Sequence, residues 1–282
     1  MPIARSRALA GGVTDRMLQS ARFERVLFGV HHLAGDCELT ERERVRRLLL
    51  STMQVRPDAS AACLAAVVMW NLPMPTRRLA EVHVRVAGQM RRPQVVAHTG
   101  EAGAVTMIDG VRVASPAQTF IDLSAELDDT WLLVVADAMV QRRLITIDGL
   151  REAVRANIDR RGVRRARRVA ELVRLGSESP MESILRLVIV SNGLPEPVVN
   201  APATDRHHGW LARVDLCYPD RRIAIEYQGD HHRTDIRQWR SDITRTRALQ
   251  AAGWTVILAT ADDIAAPDHL IDAIRDALNQ SA

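Results

Sequence analysis

The sequence predicts an α/β chain, α+β overall, made of more than one unit. Three observations predict it. The 282 residues, 47% apolar and 26% charged, have ordinary globular composition and suffice for about two domains of ~150 residues each. Helical and strand-like periods alternate along the chain. The charge changes sign near Gly176: residues 1–176 hold 27 Arg against 19 acids, and residues 177–282 hold 11 against 15. A basic front half suits a polyanion; an acidic back half suits a cation site or simple solvation. All 38 basic residues are Arg, so no chemistry that needs a lysine ammonium is open to this chain.

The first segment, 1–39, reads as winged-helix-like. Thr14 and Asp15 open a short helix, a basic strand-like stretch, Arg22 to Val30, follows, and a short helix before a basic hairpin is the winged-helix pattern. Residues 40–150 read as an α+β domain. Helices are expected over Glu41 to Met53, Ala59 to Trp70, Pro116 to Leu127 and Thr130 to Arg143. Strands are expected over Ala80 to Ala87, Gln94 to His98 and Val111 to Val113. This stretch shows no phosphate loop and no recognisable catalytic cluster. Residues 151–176 are rich in Arg, with the dense run Arg160, Arg161, Arg164, Arg165, Arg167 and Arg168. The run is either a solvated linking helix or a phosphate-contacting surface, where neutralised phosphates release counterions.

The last segment, 177–282, has the clearest order. Ser179, Pro180 and Glu182 form a capping-box start for a helix that stops at Asn192 and Gly193. Strands near Val198 to Pro202, Leu211 to Tyr218 and Arg222 to Gln228 follow. A helix from about Asp235 to Ala252, a strand Trp254 to Thr260 and a helix Asp268 to Asn279 complete an αβββαβα order.

The chemistry is expected on the middle hairpin. Period-two alternation puts Asp215, Glu226 and Gln228 on one face. A four-residue loop, Pro219 to Arg222, pairs Tyr218 with Ile223, and counting inward brings Asp215 opposite Glu226. Cross-strand Cβ atoms lie ~5 Å apart, and two carboxylates that close repel unless a cation lies between them. Oxygen-only ligands favour Mg²⁺ or Mn²⁺. Each residue also has a plain structural role: Glu182 as the capping-box acid, Asp215 as a strand acid beside Arg213, His231 and His232 as loop residues, Asp242 and Arg245 as a helical i, i+3 ion pair. Trp254 is expected in the core, and His31-His32 and His207-His208 at the surface.

Asp215, ten residues, then Glu226-Tyr227-Gln228, after a helix bearing Glu182, resembles the PD-(D/E)XK nuclease superfamily. Ile225-Glu226-Tyr227-Gln228-Gly229 with His232, then Asp242-x-x-Arg245-x-x-x-Leu249 and Gly253-Trp254-x-Val256, is similar to the endonuclease-like domain related to very-short-patch mismatch repair endonucleases. About 100 residues carry this likeness. Residues 11–150, above all Val113 to Leu123 with Ser115, Pro116, Thr119 and Asp122, resemble the AbiEi-type antitoxin family. The first resemblance implies a restriction-endonuclease-like core. Asp215, Glu226 and the Tyr227 carbonyl would hold the metal, with Glu182 reaching it from the helix. Gln228 stands where the superfamily usually has Lys and brings no positive charge. Arg245 or His232 would then have to supply charge or a proton.

The expected function is a metal-dependent DNA endonuclease in which a Mg²⁺-activated water attacks a backbone phosphodiester, the Arg run and Arg245 holding the strand. The alternative is a non-catalytic DNA-binding regulator of AbiEi type with a degenerate nuclease domain, a nucleotidyltransferase-like toxin as partner and a homodimer as one assembly. Glycoside hydrolysis by the paired carboxylates needs a sugar cleft lined by aromatics, which 4% aromatic content disfavours. No apolar run reaches the ~20 residues that cross a bilayer, and Met1 to Leu9 lacks a secretory core; the expectation is a cytoplasmic chain with no membrane partner. Cys37, Cys63 and Cys217, without C-x-x-C spacing, are expected as reduced thiols rather than a disulfide or thiolate zinc framework.

Overall fold

The computed structural model describes residues 1–35, 38–75, 78–101, 103–205, 207, 209–229 and 236–280, with the backbone alone over 236–242. The chain has an α/β fold. It divides into two compact units, Met1–Met139 with Arg143–Glu171, and Val140–Arg142 with Leu172–Ala282. Among the described residues, no helix is long and apolar enough to cross a membrane.

The first unit opens with β1 (Ile3–Ala4), α1 (Arg5–Ala10), α2 (Asp15–Leu18), β2 (Phe23–Leu27) and β3 (Val30–Leu33), its strands forming a sheet of order β1-β3-β2. Thr14 caps α2 by accepting the Met17 N–H at 3.3 Å, the role its hydroxyl predicts. The basic stretch forms a hairpin, β2 pairing antiparallel with β3, that turns at Phe28-Gly29, where Gly29 adopts φ +77°. A second helix, α1, precedes the capped one, and the sequence reading did not anticipate it. His31, expected at the surface, is buried.

The unit continues through α3 (Glu41–Val55), β4 (Ser60–Ala61), α4 (Cys63–Met69), β5 (Val82–Val86), β6 (Val95–Thr99), β7 (Val105–Ile108), β8 (Val111–Ala114), α5 (Pro116–Leu123), α6 (Asp129–Gln141), α7 (Ile147–Ala156) and α8 (Val163–Leu172). The five strands form a mixed sheet of order β6-β5-β4-β8-β7. Thr40 and Glu43 close a reciprocal capping box on α3. Where one helix was expected from Ala59, Ser60 and Ala61 pair with Arg85 and Val84 of β5, and the helix starts only at Cys63. Val45, Leu49, Ala66, Met69, Val84 and Val113 lie in one buried cluster between helices and sheet.

The Arg-rich stretch folds as a packed part of this unit. Val163, Ala166, Val169 and Ala170 form the buried stripe of α8 at helical spacing. Its start depends on Gly162, whose φ is +86° and whose Cβ, if present, would lie 2.4 Å from the Ser124 carbonyl oxygen. Gly162→Ala is therefore expected to destabilise this unit by about 1–3 kcal/mol through left-handed strain alone, with the clash adding to it. Urea unfolding followed by circular dichroism measures the loss; an unchanged midpoint would show that Ser124 and α8 shift at little cost.

The second unit contains α9 (Pro180–Ser191), β9 (Val198–Thr204), β10 (Trp210–Tyr218), β11 (Ile223–Tyr227), α10 (Ile236–Ala251), β12 (Thr255–Ala259), α11 (Ala261–Ala265) and α12 (Asp268–Gln280). The expected αβββαβα order is present, with the short α11 added. The sheet runs β12-β11-β10-β9. The first three strands in sequence form an antiparallel meander, whereas β12 lies parallel to β11, the arrangement that a crossover helix such as α10 permits. Leu185 and Ile189 of α9 and Ile271 and Ile274 of α12 pack with Leu216 and Ile225. Leu249 of α10 and Trp254 pack with Cys217 and Ala224. Adjacent strand residues thus serve opposite layers. Trp254 is in the core as expected, its indole N–H donating to the Thr204 carbonyl at 2.9 Å.

Candidate carboxylate centre

The loop between β10 and β11 sets the register of the centre. Pro219–Arg221 make one 3₁₀ turn, Arg222 adopts the left-handed φ of +51°, and Tyr218 lies opposite Ile223, as the residue count predicts. The paired residues continue through Cys217↔Ala224 and end at Leu216↔Ile225, one step short of the expected Asp215–Glu226 pair. There the Asp215 side chain takes over as acceptor. Its Oδ2 receives the Tyr227 main-chain N–H at 2.9 Å.

Glu182 enters from the first turn of α9. Ser179 Oγ accepts the Glu182 N–H at 3.2 Å, completing half of the expected capping box. The other half is replaced: Glu182 Oε2 accepts from the Glu178 N–H at 2.8 Å and from Asn200 Nδ2 at 2.5 Å. Asn200 sits on β9 at φ +49° and also donates to the Gly176 carbonyl. Burial raises the Glu182 carboxyl above the usual carboxylate range. The charge of Asp215 pushes it the same way, against the hydrogen bonds from Glu178, Ser179 and Asn200. Asp215 and Glu182 therefore feel each other, while Glu226 is buried at 5% exposure on the neighbouring strand.

The electrostatics of the centre are not purely acidic. Arg245 of α10 places its guanidinium 2.7 Å from Glu226 Oε2, a charge-assisted contact to a nearly buried acid. Arg245, expected at DNA or at a developing phosphate charge, meets Glu226 in the structure. Arg213 pairs with Glu178 at 2.5 Å. Gln228 is exposed, and its main-chain N–H donates to the Ala259 carbonyl at 2.7 Å. His231 and His232 lie outside the described residues, as does the side chain of Asp242.

Of the basic run, Arg160, Arg161, Arg164 and Arg167 are exposed. Arg165 and Arg168 are committed to Asp129 at 2.9 Å each, and Arg165 also donates to the Ser124 carbonyl. Two of the six arginines therefore anchor α8 within its own unit.

The first unit holds a second cluster, which the sequence reading did not find. Cys63, His83, His98 and Glu126 each offer one donor atom, and these atoms lie within 4.8 Å of one another. His83 sits on β5 and His98 on β6, Cys63 begins α4, and Glu126 lies in the turn after α5. Burial pushes the Cys63 thiol far above its usual range, the Glu126 charge acting in the same direction. Burial also lowers the His98 imidazole, helped by the charge of His83. Two of the four come from paired strands, one from the start of α4 and one from a turn, so no short spaced motif marks them. The alternation of His83 with Val82 and Val84 on a strand was the one available signal. Cys63 and Cys217 are free and buried, and Cys37 is outside the described residues.

No family model matches the chain. It is similar to two Mycobacterium tuberculosis proteins, uncharacterized protein Rv2248 of strain H37Rv and uncharacterized protein MT2308 of strain CDC 1551. Each is 29% identical over 208 residues, which cover 73% of this chain and 76% of the relative.

Proposed function

We propose that the second unit is a metal-dependent DNA endonuclease. The observation that carries this reading is that Asp215 on β10 accepts the N–H of Tyr227, the residue after Glu226 on β11, at 2.9 Å, while the charge of Asp215 also acts on Glu182. The donors fit a hard cation in being all oxygen. Asp215, Glu226 and the Tyr227 carbonyl would hold Mg²⁺ or Mn²⁺, with Glu182 beside them. When bound, such an ion supplies acidification of water and charge stabilisation at the phosphoryl oxygens. The chain's own residues do the rest. The Tyr227 N–H fixes the Asp215 carboxylate, and Asn200 with the Glu178 N–H fixes Glu182, so both acids are oriented before any ligand arrives. Exposed Arg160, Arg161, Arg164 and Arg167 offer charge for a phosphate backbone, with a salt-dependent affinity as the consequence.

A second reading has its own support. Arg245 already neutralises Glu226, and Gln228 brings no charge where the resembled superfamily has Lys, which favours a DNA-binding regulator of AbiEi type that does not cut. Incubation of the purified chain with supercoiled and branched DNA separates the two. Nicking that requires Mg²⁺ or Mn²⁺ and stops with chelator is the expected result. A gel shift on DNA that persists in chelator, with no nicking at any metal concentration, would leave the regulator.

A further inference from the structure

The four donors in the first unit have the dimensions of a metal site. A tetrahedral zinc ion with bonds of about 2.0–2.3 Å places its nitrogen and oxygen ligands about 3.3 Å apart and a sulfur about 3.6 Å from a nitrogen. His98 Nε2 lies 3.1 Å from His83 Nδ1, His83 Nδ1 lies 3.2 Å from Glu126 Oε1, and Cys63 Sγ lies 3.7 Å from His98 Nε2. His98 Nε2 to Glu126 Oε1 is 3.9 Å. These are four of the six edges that a tetrahedron of these donors has, and all four donor atoms lie within 4.8 Å of one another.

Hydrogen bonding alone accounts poorly for the same atoms. An imidazole nitrogen has a single in-plane site, occupied by either a proton or a lone pair. His98 Nε2 faces a sulfur, a nitrogen and an oxygen, and His83 Nδ1 faces a nitrogen and an oxygen, so protons can satisfy only some of these contacts. A cation at the centre takes one lone pair from every donor.

We infer that Cys63, His83, His98 and Glu126 form a structural zinc site. The mixed thiolate, imidazole and carboxylate set points to zinc rather than to magnesium or calcium, which take oxygen ligands. Four protein ligands close the coordination shell, the mark of a structural rather than a catalytic site. Charge also balances. Zn²⁺ with one thiolate, one carboxylate and two neutral imidazoles is neutral, and the nearest buried charges, Arg85 and Asp122, pair with each other at 2.7 Å. The frame is prepared for it: the His83 carbonyl accepts the Ala62 N–H at 3.0 Å, and Cys63 holds a left-handed φ of +49° that begins α4 beside β5, a conformation kept where surrounding structure fixes it. The ion would tie together the β4/α4 junction, β5, β6 and the turn after α5.

Cobalt substitution of the full-length chain tests this. After chelator treatment and dialysis, Co²⁺ titration should give tetrahedral d–d absorption and a thiolate charge-transfer band, saturating at one ion per chain and displaced by one equivalent of Zn²⁺. Cys63→Ser should lose the charge-transfer band, and His98→Ala should weaken binding by at least tenfold. Glu126 is exposed, so Glu126→Gln will fold even where the buried changes do not; it should keep the band, bind more weakly, and lose most of the rise in melting temperature that Zn²⁺ gives the native chain. Only six-coordinate Co²⁺ spectra, no binding at micromolar metal, or an unaltered thiolate band in Cys63→Ser would overturn the assignment. The Mg²⁺ centre proposed for the second unit lacks sulfur and cannot mimic the band.

Discussion

Asp122→Ala should destabilise the first unit by about 3–5 kcal/mol, the range for removing one partner of a buried ion pair. Asp122 and Arg85 have side chains only 6% and 8% exposed and meet at 2.7 Å. Gln118 Nε2 donates to the same Asp122 oxygen at 2.7 Å, so the substitution strands a buried guanidinium and a half-buried amide together. The penalty comes from the unpaired charge rather than from the lost attraction. Accordingly the double change Arg85→Met with Asp122→Leu should recover most of the loss, since a well-packed apolar pair of similar volume is often neutral or better. Urea midpoints of the three variants decide it. A loss below about 1 kcal/mol in Asp122→Ala would mean that water reaches Arg85 and the pair behaves as an exposed one.

What the sequence made legible was local, and what it hid was assembled over distance. The β10/β11 hairpin could be registered by counting because a short loop and period-two alternation leave few choices; Tyr218 opposite Ile223 follows from them. Helix starts at Thr14, Thr40, Ser115 and Ser179 carry side-chain caps, which is a signal of three or four residues. Strand β7 was missed although Asp109-Gly110, at φ +49° and +82°, is a hairpin turn of the Asp-Gly kind. Cys63 lies in an apolar run that reads as one helix from Ala59, but pairing of Ser60 and Ala61 with β5 makes it the first residue of α4. Arg245 could be placed on a helix face but not against Glu226, because no local spacing says which strand residue a crossover helix will meet. The four-donor cluster is the extreme case: its members are brought together only by the sheet order β6-β5-β4.

The carboxylate centre yields the second large effect. Asp215→Asn keeps an oxygen to accept the Tyr227 N–H yet removes the charge, and Glu226→Gln does likewise while keeping volume. If the proposed chemistry holds, each should lower metal-dependent nicking by about 10²-fold or more, since each removes an ionic ligand from the cation, with little change in melting temperature for Asp215→Asn. Arg245→Ala should act in the opposite sense on the metal. Its guanidinium is a cation at Glu226; removing it weakens the compensation of a buried carboxylate, which lowers stability in chelator and raises affinity for a divalent ion that restores the charge. The expected signature is a lower half-saturating Mn²⁺ concentration and a larger metal-induced rise in melting temperature than in the native chain. Should Arg245→Ala instead leave metal dependence unchanged while reducing the salt slope of DNA binding by about one, Arg245 is a phosphate contact and the centre a grip rather than a blade.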